Sequence, residues 1–269
     1  MARRSRLFLL RCLVVLLACV TTALSFAGEG HNLHAGNLEK LFEQHGVTGA
    51  FAARDTGTND QAIVLQADKR RVPASTFKIA NSLIALETGV VADADTVIPY
   101  GGKPQPIKSW QQDMSMRDAI RISNVPIYQE LARRVGSERY REWLVKLGYG
   151  NRRTGEDVER FWLDGPLAIS PLEQVDFLAR LIRDELPASV DNQQTVRDLV
   201  HVETSDRGKL HAKTGWSIAT EPQTGWWVGW VEREDTTIAF ALTIDMASRA
   251  DAGKREALGR ALLRALQVY

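Results

Sequence analysis

Cysteine is almost missing from this chain. It has two in 269 residues, Cys12 and Cys19, both close to the N-terminus. They belong to "MARRSRLFLLRCLVVLLACVTTALSFA", residues 1–27, which has an Arg-rich start, an apolar centre and small residues at its end, with Ser25 and Ala27 spaced as a cleavage site. This is the pattern of a secretory signal peptide, too short and wrongly flanked for a membrane span. A retained anchor and lipidation at Cys19 are the alternatives for the same residues. Once the signal is removed no thiol remains, which excludes a disulfide framework, a thiol nucleophile and a thiolate metal site. Histidine is sparse too: the five (His31, His34, His45, His201, His211) have no H-E-x-x-H or comparable spacing, so no metal site is expected. Clustered positive charge is also lacking. Arg3, Arg4, Arg6 and Arg11 lie in the signal and the mature chain has no run of Lys or Arg beyond the three at 69–71, which argues against nucleic-acid binding. The expected location is a bacterial periplasm, with no membrane attachment after cleavage.

The remaining chain has an ordinary globular composition, 44% hydrophobic and 25% charged over the full sequence, without repeats or low-complexity tracts. Its length suits one large domain or two interlocked subdomains. "GAFAARD" (49–55) and "QAIVLQ" (61–66), separated by the turn residues 56–59, read as a β-hairpin. Helices are expected at 37–45, 75–88, 115–121, 126–135, 137–147, 171–184, 192–200 and 251–267, with residues 90–110 as loop. Ser115 with Asp118 and Ser170 with Glu173 read as capping boxes, the second preceding Pro171 at a first helical position. "KLHAKTG" (209–215), "GWWVGWVE" (225–232) and "TTIAFALTI" (236–244) are runs of β-formers. Strands at both ends with helices between predict an α/β (α+β) fold. One antiparallel sheet is covered by terminal helices, with a helical subdomain alongside. The sheet lobe is expected at about 28–75 and 200–269 and the helical lobe at about 76–199. A cleft between them is a natural small-molecule site.

The chemistry starts in "ASTFKIANSLIAL" (74–86). A Ser-x-x-Lys pair is common by chance, and serine is a favoured N-cap. Its neighbourhood is uncommon: from Phe77 to Leu86 only Lys78, Asn81 and Ser82 are polar, as in a buried central helix. Burial disfavours the charged form of lysine and turns it into a base. At i, i+3 the Lys78 amine can reach the Ser75 hydroxyl. A helix N-terminus also offers free N–H groups to a developing oxyanion. "KTG" (213–215) at a strand end places a cation and a hydroxyl where a substrate carboxylate could be gripped, with Gly215 allowing close approach. "SNV" (123–125) closes a helix before Pro126.

In this order, S-x-x-K, S-x-V and K-T-G resemble the penicillin-recognising serine enzymes. "STFK … SNV … KTGW", with "YGN" at 149–151 and "FWLDGPLAIS" at 161–170, is similar to the class D (oxacillinase-type) β-lactamases over the whole mature chain. The resemblance implies a serine β-lactamase/penicillin-binding-protein transpeptidase-like fold in a single domain, residues 28–269. It also implies hydrolysis of β-lactam antibiotics, and hence resistance to them. Ser75 would be the acylated nucleophile. Lys78 would be the general base, an N6-carboxylysine formed with CO₂ or bicarbonate, with no other cofactor. Ser123 would relay a proton to the lactam nitrogen. Val125, Phe77, Trp162 and Leu163 would wall the modified lysine, and the Trp162 indole N–H would donate to it. Lys213, Thr214 and Arg255 would hold the substrate carboxylate, with Gly215 beside them. The N–H groups of Ser75 and Trp216 would form the oxyanion hole. Y-x-N is the catalytic-tyrosine motif of class C enzymes, but Ser123 already fills that role here, so Tyr149 reads as structural. Trp226, Trp227 and Trp230 read as packing on the sheet. The expected partners are small-molecule β-lactams, with a homodimer left open. A β-lactam sensor domain and a D,D-peptidase are the competing functions.

Overall fold

The computed structural model describes residues 35–57 and 63–269. The expected signal peptide and part of the 56–59 turn lie outside them. The chain opens with α1 (Ala35–Gln44), β1 (Gly49–Asp55) and β2 (Ile63–Leu65), the two strands forming the expected antiparallel hairpin. A 3-10 turn, Ala74–Phe77, runs into α2 (Lys78–Glu87). Next come β3 (Val97–Ile98) and β4 (Met114–Ser115), a small pair within what the sequence reads as loop and cap. The helical region holds α3 (Met116–Arg121), α4 (Val125–Val135), α5 (Ser137–Leu147), α6 (Pro171–Ile182) and α7 (Val190–Leu199). The chain then returns through β5 (His201–Ser205), β6 (Gly208–Ser217), β7 (Gln223–Glu232), β8 (Thr237–Met246) and α8 (Lys254–Ala265).

Six strands form one antiparallel sheet in the order β2-β1-β8-β7-β6-β5, so the two halves of the chain meet where β1 pairs with β8. Helices lie on both faces, which is why the eight central residues of β7 are all buried and, from Gly225 to Val231, carry no polar side chain except the Trp indoles. On one face α1 and α8 pack over Phe51, Trp227, Phe240 and Leu242. On the other, α6 and the helical region pack over Ala52, Trp226, Val228 and Trp230. The helix α2 is buried from Lys78 to Leu86, as its composition predicts.

Four local readings need correction. The expected helix from 75 begins as a 3-10 turn, and Ser75 caps nothing: Pro73 stands at the N-cap with no side-chain bond. "SNV" does not close a helix. It links α3 to α4, where Asn124 accepts from the Ile127 N–H at 3.1 Å and starts the second helix. The Ser170–Glu173 capping box is complete, but the Ser115–Asp118 one is half formed, because Asp118 returns to the Ser115 hydroxyl rather than to its backbone. Finally, β5 is a strand the sequence reading lacks. Four of its five residues are exposed, so it carries no apolar signature, and it is held by backbone pairing to β6.

Candidate active site

Two tight connections bring the reactive groups together. At the first, Ala74 takes a left-handed conformation, φ +49°, and turns the chain sharply after Pro73. The Thr76 hydroxyl donates to the Pro73 carbonyl at 2.8 Å and accepts from Gln174 of α6 at 2.9 Å, so the turn is pinned from both sides. This leaves the Ser75 hydroxyl unused by the backbone, with Lys78 Nζ 2.9 Å from its Oγ. Lys78 is fully buried, under Tyr128, whose ring centroid lies 5.1 Å from the amine. Burial drives its pKa well below the ordinary lysine value, and the charge of Lys213 adds to the effect.

At the second connection Ser123 is also left-handed, φ +55°. Strained backbone of this kind costs of order 1–3 kcal/mol and persists where the surroundings hold it. Here they do: the Ser123 and Asn124 N–H groups donate to Ile120 and Ala119, and Asn124 caps α4. The result aims Ser123 Oγ at Lys213 Nζ, 3.1 Å away. Lys213 also donates to the Thr214 carbonyl at 2.9 Å. Burial pulls its pKa down to about 7, assisted by the nearby charge of Arg255.

The strand β6 joins these parts. Because β5 pairs with β6 only as far as His211, the edge beyond it stays open on the side of the site. Side chains alternate: Lys213, Gly215 and Ser217 lie opposite Val228, Trp226 and Thr224 on the α6 side, while Thr214 and Trp216 turn to the α8 side. Gly215 is required by contact. A Cβ there would sit 2.9 Å from the Pro73 carbonyl oxygen and 3.0 Å from Thr76 Cγ2. A cavity of about 410 Å³ opens beside Lys213 and Thr214, with Arg121, Val200, Glu256 and Arg260 among its lining, and it stops short of Ser75.

The structure thus pairs Lys78 with Ser75 and Lys213 with Ser123 through hydrogen bonds, with Gly215 against the serine turn. Trp162 is fully buried against Phe77, their rings 5.7 Å apart, and its indole N–H has no hydrogen-bond partner among the described residues. Val125 is half-buried two positions after Ser123, and Leu163 packs at the rim of the same core. Two further expected residues are held by bonds within the protein. The Trp216 ring lies on the α8 side and its indole donates to Gln223 at 2.8 Å, so only its backbone is available to the site. Arg255 donates to the Gly215 carbonyl at 2.6 Å and to the Ala252 carbonyl at 2.7 Å. Tyr149 is core: it is buried 5.4 Å from Phe77 and 5.1 Å from Phe177, and burial raises its pKa. Trp226, Trp227 and Trp230 are buried on the sheet as expected. The sequence reading missed Tyr128 over Lys78 and Gln174 under the serine turn. The first is i+3 from Val125 on an amphipathic helix and could have been found by that spacing.

Comparison with known proteins gives the same picture. The penicillin-binding protein transpeptidase domain family matches residues 46–264. The β-lactamase OXA-10 of Pseudomonas aeruginosa is 37% identical over 252 residues, covering 91% of this chain and 92% of that one. OXA-48 of Klebsiella pneumoniae is 40% identical over 199 residues, covering 74% and 75%. Among solved structures, FUS-1 (OXA-85) from Fusobacterium nucleatum subsp. polymorphum superposes with a TM-score of 0.83 at 39% identity, covering 87% of this chain and 98% of that one. With the Ser75–Lys78 pair on its buried helix, Ser123 facing Lys213, and this likeness along nearly its whole length, the chain belongs to the class D β-lactamases.

Proposed function

We propose that this member opens β-lactams through an acyl-enzyme on Ser75, with Lys78 as the base. The observation that carries the reading is a fully buried amine, its pKa driven well below the ordinary lysine value by burial, 2.9 Å from a serine hydroxyl that no backbone group uses. Lys78 takes the Ser75 proton as Oγ attacks the lactam carbonyl. The carbonyl oxygen becomes an oxyanion, received by the N–H groups of Ser75 and Trp216. In a comparable site, losing one such donor costs roughly 10²–10³ in rate. When the tetrahedral intermediate collapses, the C–N bond breaks and Ser123, kept in register by Lys213, delivers its proton to the nitrogen and takes in its place the proton that Lys78 removed from Ser75, so that Lys78 is again a free base. Lys213 and Thr214 hold the substrate carboxylate, with Arg255 adding positive charge from beneath Gly215. A water, activated from the Lys78 side, then releases the product.

The Lys78 pocket also fits carboxylation. Only a neutral amine adds CO₂, and a buried indole N–H without a partner, from Trp162, is a suitable donor to the anion formed. Carbon dioxide bound as a carbamate would supply an anionic oxygen base at this point. Phe77, Val125, Trp162 and Leu163 would hold it away from bulk water. Export to the periplasm, as residues 1–27 imply, would place this hydrolysis ahead of the drug's targets and so confer resistance. The test is nitrocefin turnover by the purified protein with saturating bicarbonate. The expected result is rapid acylation followed by turnover, both stimulated by bicarbonate. No hydrolysed product under those conditions would overturn the reading.

A further inference from the structure

Alternate residues of β6 each touch a different part of the site. Lys213 reaches Ser123, and Gly215 lies on Pro73 and Thr76 of the serine turn. The next residue on that face is Ser217, whose Oγ donates to the Leu163 carbonyl at 3.1 Å. The first two contacts belong to recognised motifs; the third belongs to none. Ser217 is only 1% exposed, and the same hydroxyl accepts from the Ala219 N–H at 3.3 Å. Both hydrogen-bonding directions of the hydroxyl are therefore committed.

Leu163 directly follows Trp162. Its own N–H donates to the Arg160 carbonyl at 2.7 Å, which forms a tight turn, and the Leu167 N–H donates to Phe161 at 3.0 Å. The Trp162 indole makes no hydrogen bond of its own among the described residues. Its placement depends on the backbone that carries it and on packing with Phe77 and Phe161. Ser217 is the side chain through which β6 reaches that backbone.

We propose that Ser217 is a positioning residue for Trp162. Its hydroxyl, anchored on β6, fixes the Leu163 carbonyl and with it the wall of the Lys78 pocket. The inference rests on the acyl-enzyme reading with a carboxylated Lys78. Loss of the tether lets segment 161–163 shift and admits water to the amine. Carboxylation and deacylation then weaken, while substrate binding through Lys213 and Thr214 stays as it was.

The test compares wild type, Ser217→Ala and Ser217→Thr. The lysine carbamate is followed by NMR as ¹³C-labelled bicarbonate is added, and acylation and deacylation of a penicillin are timed separately. In Ser217→Ala, half-maximal carbamate signal should need more bicarbonate, and deacylation should slow. Each change should be roughly two- to tenfold, the range for losing one hydrogen bond. The apparent substrate affinity in acylation should not move, and Ser217→Thr, which keeps the hydroxyl, should recover both losses. Should Ser217→Ala fail to fold, Ser217→Cys, nearly isosteric but a weaker donor, is measured the same way. An alanine variant equal to wild type in carbamate signal and deacylation would overturn the proposal. So would a threonine variant as impaired as alanine, because packing rather than the hydroxyl would then matter. A wild type with no carbamate signal at any bicarbonate concentration would instead defeat the underlying reading, and this inference with it.

Discussion

The two faces of the sheet are built from the same strands but contain different chemistry. Under α1 and α8, side chains such as Phe51, Phe240, Leu242, Leu258 and Leu262 meet other apolar groups. Under α2 and α6, Thr76, Lys78, Asn81, Gln174 and Lys213 are buried among the apolar residues. Burying polar groups costs free energy unless they are paired, and burying an ammonium costs most. The α8 face is a source of stability, whereas the α6 face gives part of its stability up to obtain reactive groups. The Ser75–Lys78 and Ser123–Lys213 pairs are thereby kept on one side of a single layer of strands.

The separation can be broken or sharpened by substitution. Lys78→Ala should lower turnover of a β-lactam by roughly 10²–10⁴-fold, the contribution of a positioned base, in a protein that still unfolds in one cooperative thermal transition. On the opposite face, Leu262→Ala should do the reverse. A fully buried Leu→Ala change costs about 2–5 kcal/mol in urea unfolding, and kcat per folded molecule should stay at the wild-type value. If Leu262→Ala also altered kcat, the two faces would not be independent.

Lys78→Met tests what the buried amine costs. The folded pKa of Lys78 lies below its unfolded value, so the unfolded chain binds a proton that the native one does not. Native stability therefore falls as pH drops below the unfolded pKa, until the folded pKa is passed. Methionine removes that penalty, so the variant should gain on wild type toward acid in denaturation curves taken across pH. Arg255→Ala is a finer probe. Lys213 grips the substrate carboxylate as a cation and loses its proton near pH 7 in the free enzyme, so kcat/KM should fall on the alkaline side. Removing the neighbouring positive charge raises the Lys213 pKa, and the alkaline limb should move to higher pH. The smallest effect is expected for Arg160→Ala. The Arg160–Asp164 ion pair is exposed, so its loss should change stability by at most about 1 kcal/mol.

Much of the α6 face was readable from the sequence because its chemistry is concentrated in one helix. Nine buried residues in a row, with one lysine among them, state both the burial and the purpose of the amine. The strands β6, β7 and β8 were equally clear from their runs of β-formers, which a sheet covered on both sides favours. What escaped reading is held by backbone or by long-range contact. β5 pairs through its main chain while its side chains face solvent. The turn before α2 depends on a left-handed Ala74 and on Gln174 from a distant helix. The guanidinium of Arg255 bonds the Ala252 and Gly215 carbonyls, a choice that local sequence does not encode. Ser217 was legible only once Lys213 and Gly215 were seen to share its face of β6.

The central claim is that burial keeps Lys78 neutral so that it can serve Ser75 in both acylation and release. Mass spectrometry of the protein mixed with a penicillin, sampled over time, tests it most directly. The account predicts an adduct on Ser75 that disappears within minutes in the wild type and, once formed, persists for hours in Lys78→Ala. An adduct that decays equally fast in both proteins, or that forms on another residue, would contradict it.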